Sequence, residues 1–440
     1  MNGMQRKLNL FDSTCLIVGI IVGAGIYKTP ISVAQAVSYP WEIYALWILG
    51  GIISLCGAMC YAELATSYPE SGGDVVYLTK AYGPSAGFLF GWLQTFVARP
   101  GDISLMALVF AQYVHVLVTP DGGPDGGPDH PVWPAVAIIC LLTAINIVGL
   151  QFGKSTQNLL TVIKVAGLFV IVACAFASPA TAVVADSTAT PKISKGVALV
   201  MILFTYGGWN EMVYVASEVD QAKRNLSRAL IAGALTVTVL YLFANAGYLH
   251  SLQLSGMAES SALATDAVAR ILPRGGQILV AGVIAISAAG AINGLVLCGA
   301  RITGSMTRYP AFNWLSHWHP RLHTPVRALV LECVIAIAVV VIAQRFENAL
   351  IYTSAAVYSF YLATAISSVV LRYKDPDARV FRMPLFPLPV VVFSLGCGWA
   401  VWSSINYEPY AAVTCLAILA FGAVFYLVQA RRPNVENHSV

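Results

Sequence analysis

Charged side chains are scarce in this chain. Asp, Glu, Lys and Arg make up only 10% of the 440 residues, whereas 58% are hydrophobic. Soluble domains carry about 25% charge. So few charges cannot cover so much apolar surface in water, and a mean hydropathy of +0.73 excludes a soluble fold. Polar cysteine is missing too. All nine cysteines fall inside apolar stretches, so no extracellular disulfide framework is expected. The apolar stretches hold no metal cluster, nucleophile elbow or phosphate loop, which argues against an enzyme and implies no cofactor. The net charge of +4 reflects topology and points to no nucleic-acid partner. The first apolar stretch follows Arg6 and Lys7 and is too long for a signal-peptide core.

What is present is a series of apolar stretches, each able to cross a lipid bilayer of roughly 20 residues' depth. Twelve are expected, near 10–35, 41–67, 84–118, 132–149, 154–178, 195–218, 227–250, 275–303, 325–343, 347–371, 386–405 and 409–430. Polar loops are expected at 121–129 and 178–194, and a short interfacial helix within 251–274. With the N-terminus in the cytoplasm, 17 Lys and Arg residues fall on inner segments, Arg301 among them, and five on outer ones. The positive-inside rule favours that orientation, with both termini cytoplasmic.

Two stretches interrupt themselves with glycine. The first reads Gly19-Ile20-Ile21-Val22-Gly23-Ala24-Gly25-Ile26-Tyr27, and the second Phe204-Thr205-Tyr206-Gly207-Gly208-Trp209-Asn210-Glu211. Backbone N–H and C=O groups are not left bare in lipid; a broken helix is tolerated where it lines a cavity. Glycine also serves close helix packing. Paired breaks in corresponding halves instead mark a transporter binding site. A broken helix offers free N–H groups to a carboxylate and free carbonyls to an ammonium. The pair therefore suits an amino acid zwitterion.

Charges inside the stretches need a reason. Lys164 lies ten residues beyond Lys154, near mid-membrane. It is either a structural ammonium on neighbouring carbonyls or a fixed cation beside the transport site. Arg99, before Pro100, is expected to pair with Asp102 on one helix face. Glu63 is expected near the inner surface, Glu218 at the interface, and Glu211 either on the pathway or off it. His317, His319 and His323 are read as a solvated inner loop, not a metal site.

These motifs resemble the amino acid–polyamine–organocation transporters. Gly23-Ala24-Gly25-Ile26-Tyr27-Lys28-Thr29-Pro30 looks like that superfamily's first-helix signature, and Tyr61-Ala62-Glu63-Leu64, Tyr68-Pro69-Glu70-Ser71-Gly72-Gly73 and Tyr82-Gly83 look like its second-helix and inner-loop signature. Within it, Arg99-Pro100, Phe204 to Asn210 and His319-Pro320-Arg321-Leu322-His323-Thr324-Pro325-Val326 resemble the L-type amino acid transporters.

The resemblance implies an all-α membrane fold of one domain, 1–440, with twelve transmembrane helices. Two inverted five-helix repeats, 10–178 and 195–371, would carry broken helices 1 and 6, followed by two C-terminal helices in 386–430. Ile21, Ala24, Gly25 and Ile26 would contact substrate through backbone, Phe204 would gate it, and Gly207 and Asn210 would complete the sixth-helix side. Asn293 matches an asparagine near the pathway. Lys164 matches a lysine standing where sodium-coupled relatives hold an ion. Ala24 departs from the serine found in many members. No cysteine occupies the outer loop near 119–131, so no disulfide-linked heavy chain is expected, as in stand-alone bacterial members. The implied function is sodium-independent exchange of neutral L-amino acids across the cell membrane by alternating access. The alternatives are a proton-coupled symporter of amino acids or amines, and a nutrient receptor or channel on the same fold.

Overall fold

Asn9 starts the first helix by satisfying its open donors. Its side chain accepts from the Asp12 N–H at 2.8 Å, and the Asp12 carboxylate accepts from the Asn9 N–H at 3.1 Å. The computed structural model describes residues 8–119, 132–179, 191–273, 275–316, 318–319, 322, 324–342, 347–407 and 409–430. The loop expected at 121–129, most of that at 178–194, and His317 and His323 lie outside them.

The described residues form 16 α-helices and no sheet. The expected first span is two helices, α1 (Leu10–Ile21) and α2 (Gly25–Ala36), bent by 48°. The second is α3 (Pro40–Ser67). A short helix, α4 (Asp74–Tyr82), then precedes α5 (Pro84–Leu93). A wide π-turn at Gln94–Ala98 joins α5 to α6 (Arg99–Val118). Helix runs on from Pro84 to Val118, so Pro100 is interior, and the wide π-turn just before it accommodates the missing N–H and the ring.

Next come α7 (Val132–Val148), α8 (Leu150–Ala177) and α9 (Lys195–Thr205). After α9 the chain turns through Gly207 and Gly208 into a tight 3-10 stretch, Trp209–Glu218. Then follow α10 (Ala222–Glu259), the short α11 (Leu263–Ala269), α12 (Gly276–Ser305), α13 (Val326–Ile342), α14 (Glu347–Lys374), α15 (Leu388–Tyr407) and α16 (Pro409–Ala430).

Every stretch expected to span is helical. Among the described residues, eight helices are long and apolar enough to cross a membrane, or nine if α1 and α2 count as one broken span. Val132–Val148 and Val413–Gln429 are shorter apolar helices. Among the longest contacts, α3 lies along α10, and α12 along α6 and α8. Most of α12 is buried, so it forms the axis of the bundle.

At the end of the molecule that carries Leu8, several ties join the elements. Leu8 N–H donates to Glu218 O, and Asp220 N–H to Leu8 O at 2.8 Å. Arg301 grips Glu218 through two nitrogens, at 2.8 and 3.2 Å. Lys154 pairs with Asp12, and Arg372 with Glu63. Arg301 corrects the sequence reading, which put it in an inner loop: it lies within α12, and Glu218 ends the 3-10 stretch. Each is 2–3% exposed because its partner removes the cost of burial. Glu63 is likewise 3% exposed. The cysteines divide: six are buried, Cys174 and Cys333 are half-buried, and Cys140 is exposed.

Candidate functional site at the two helix breaks

The first break leaves carbonyls at the end of α1 and N–H groups at the start of α2. Gly23 N–H closes back on Ile21 O at 2.7 Å. The first N–H groups of a helix have no partner within it, so Gly25 and Ile26 at the start of α2 present such donors. The same end is the positive pole of the helix. Ile21, Ala24 and Ile26 are buried, and Gly25 is half-buried. Their side chains are packing groups, so any ligand here meets backbone.

The second break stands directly against the first. Gly208 has a φ of +106°, a conformation that L side chains rarely adopt, and a Cβ there would meet Ile20 Cγ2 at 2.7 Å. Thr205 packs against Gly25, accepts from the Thr29 hydroxyl at 2.6 Å and donates to Met201 O at 2.8 Å. One side chain spans both breaks. The Tyr241 hydroxyl, on α10, shares its proton between Ile21 O at 2.8 Å and Thr205 O at 3.1 Å. Trp47 and Tyr206 pack against that ring at 5.3 and 5.2 Å between centroids.

Lys164 reaches the first break from α8. Its Nζ donates to Gly19 O at 2.6 Å, Val22 O at 3.2 Å and Ser287 O at 2.8 Å. The Ser287 hydroxyl donates to Val22 O at 2.7 Å. Two of these three carbonyls lie in the last turn and cap of α1, the negative pole of that helix. Among the described residues, no carboxylate lies within ion-pair distance of Lys164. Carbonyl oxygens alone balance its charge, as they would for a bare cation. A Cβ at residue 290 would meet Nζ at 2.7 Å, so glycine there makes room for the ammonium.

The remaining expected residues sit further out. Phe204, the last residue but one of α9, is 42% exposed. Gly207 and Asn210 line a narrow cavity with Trp209, Tyr361 and Phe393, none of whose lining residues comes from α1 or α2. Asn210 is buried and donates to the Tyr214 hydroxyl at 3.0 Å, which donates to Asp74 at 2.9 Å. Asp74, on α4, also accepts from Tyr61 and Thr364. Burial pushes the Asp74 carboxyl up, while those three hydroxyls pull it back. Asn293 donates to Gln157 at 2.9 Å and Gly153 at 3.1 Å, and accepts from Asn146 at 2.9 Å. It braces α12 against α7 and α8 one layer behind the first break.

Arg99 does not pair with Asp102 as expected. Its Nη2 meets Glu211 Oε1 at 3.0 Å across the bundle. Asp102 lies one turn further along α6 and, among the described residues, makes no ion pair. Thr205, Tyr241, Ser287 and Gly290 escaped the sequence reading. Each is an ordinary membrane-helix residue, and no spacing connects it to a break far away in the chain.

The chain matches known proteins over nearly its whole length. A family model described as amino acid permease matches residues 8–435. The chain is 28% identical to the b(0,+)-type amino acid transporter 1 of Mus musculus, over 97% of this chain and 88% of that protein. It is 28% identical to the serine/threonine exchanger SteT of Bacillus subtilis (strain 168), over 98% and 99%. It is also 28% identical to the large neutral amino acids transporter small subunit 2 of Homo sapiens, over 97% and 80%.

Proposed function

Because the chain belongs to the amino acid permease family, we propose that it exchanges neutral L-amino acids across the cell membrane by alternating access, without sodium. The observation that carries this reading is the meeting of the two breaks. Their freed backbone groups are partly answered by Tyr241 and Lys164, while the α2 N–H groups stay open. A substrate carboxylate would take the donors of Gly25 and Ile26 beside Ala24, and an ammonium would take carbonyls near Ile21 and the end of α9. Phe204 would close over the ligand. Gly207 and Asn210 would carry ligand occupancy through Tyr214 to Asp74 on α4. Asn293 would position α12 beside Lys164.

The printed names of the relatives support amino acid transport, and that of the Bacillus protein supports exchange. Lys164 supports sodium independence, since its ammonium occupies three carbonyls that would otherwise suit a small cation. We read the chain as one domain of twelve spans, with inverted repeats at 10–178 and 195–371 and two further helices in 386–430. Both termini would be cytoplasmic, no disulfide-linked heavy chain would be needed, and no chemical step would be catalysed.

The test is counterflow with purified protein in liposomes. Labelled neutral amino acid should accumulate only in vesicles preloaded with unlabelled amino acid, equally with and without sodium. Equal uptake into empty and loaded vesicles would overturn exchange. Competition by amines or cationic amino acids alone would overturn the neutral substrate class.

A further inference from the structure

Behind the second break lies a buried group of charges that substrate recognition does not use. Arg99 on α6 meets Glu211, which lies three residues beyond Gly208. Glu332, on α13, lies against the bare backbone of Gly299 on α12 and beside the Arg99 stem. It is 2% exposed, and neither carboxylate oxygen has a hydrogen-bond partner. Arg99 Nε and Nη1 and Glu211 Oε2 are also buried without partners.

The charges facing Glu332 can be counted element by element. From α6 comes Arg99, which Asp102 also faces, and from the 3-10 stretch comes Glu211. From α12 comes Arg301, but Glu218 holds it through two bonds. The described part of α7 contributes only Cys140, near Cys333, and the turn Gln94–Ala98 contributes no charge. Among the described residues, one cation, Arg99, thus faces three carboxyls, Glu211, Asp102 and Glu332, and pairs with Glu211. Ionised carboxylates crowded together without counter-charge do not all persist; one takes up a proton. Glu211 is paired and Asp102 is half-buried, whereas Glu332, among the described residues, has no ion-pair or hydrogen-bond partner.

We propose that Glu332 is a proton-binding site, protonated in this conformation, and that its proton occupancy is linked to the second helix break through Arg99 and Glu211. When the Glu332 O–H breaks, the proton leaves to water and the bonding pair stays on the carboxylate. The new anion attracts the open Nε and Nη1 groups of Arg99 and so competes with Glu211 for the guanidinium. Glu211 belongs to the segment that starts at the break, so that competition reaches the substrate site. The ligand of this second site is a proton.

Infrared spectroscopy of the purified protein tests the proton without requiring transport. The wild type should show the carbonyl band of a protonated carboxylic acid, lost on alkaline titration and absent from Glu332→Gln. Glu332→Asp should show the band at a shifted frequency, which covers the case in which the glutamine variant does not fold. No such band in the wild type, or the same band in a folded Glu332→Gln, would overturn the proposal. The link to the break is read in counterflow between about pH 5 and pH 8. The wild-type rate should change with pH, and Glu332→Asp should move the midpoint of that change. The same midpoint in both would overturn the link. This second readout rests on the transporter reading; a band without any counterflow would sink that reading and leave the proton site standing.

Discussion

Lys164 carries a charge into the centre of the bundle and meets only carbonyl oxygens. Removing it leaves Gly19 O, Val22 O and Ser287 O short of a donor, and bonds to a charged group are worth about 1.5–3 kcal/mol each. Lys164→Ala is expected to lower thermal stability and to abolish counterflow without sodium. Partial rescue by sodium would mark the vacated carbonyls as a cation site. Counterflow at the parent rate, with or without sodium, would remove Lys164 from the mechanism. Phe204 makes the opposite prediction about stability. It is 42% exposed, so Phe204→Ala should leave the melting temperature nearly unchanged while slowing exchange severalfold. An unchanged exchange rate would end its role as a lid. Lys164 was legible in the sequence as a charge in an apolar run, whereas the gating role of Phe204 came from the resemblance alone. The partners of Lys164 were not legible, because carbonyls carry no residue identity.

At the scale of elements, the two broken spans depend on a third. The hydroxyl of Tyr241 on α10 holds Ile21 O and Thr205 O together, so it joins the end of α1 to the end of α9. Tyr241→Phe keeps the aromatic packing and removes only that link. It should cost about 1 kcal/mol of stability and alter the exchange rate more than the melting temperature suggests. Equal stability and equal exchange would show that the breaks hold their geometry without it. The breaks themselves were readable, since glycine pairs in apolar runs are visible in one dimension. Tyr241 is one tyrosine among 20, and only the packing of α10 against α1 and α2 distinguishes it. The Arg99 reading failed for a related reason. A spacing of three residues permits an Asp102 pair within α6, yet Glu211 on another element offers the better approach.

At the scale of the whole molecule, the Leu8 end is tied by contacts between distant segments. Arg301 and Glu218 are both buried and joined by two hydrogen bonds. Arg301→Gln leaves a buried carboxylate without its cation, a loss of about 3–5 kcal/mol. Glu218→Gln combined with Arg301→Gln should recover much of that stability. Denaturation of the two single variants and the double variant in detergent measures the coupling. Simple additivity would mean the pair contributes little, and the end would then depend on Leu8 and Lys154 instead.

By itself the sequence determined that this chain lives in lipid, that it is helical throughout its apolar stretches, and where two of its helices break. Those properties follow from composition, run length and the backbone freedom of glycine, all of which are local. Which groups answer the broken backbone was decided only by tertiary structure. Ser287 and Tyr241 meet the breaks, Glu211 displaces Asp102 at Arg99, and Glu332 is left without a partner. A hydrogen bond or ion pair depends on distance in space, and the packing of α8, α10, α12 and α13 around the breaks sets those distances.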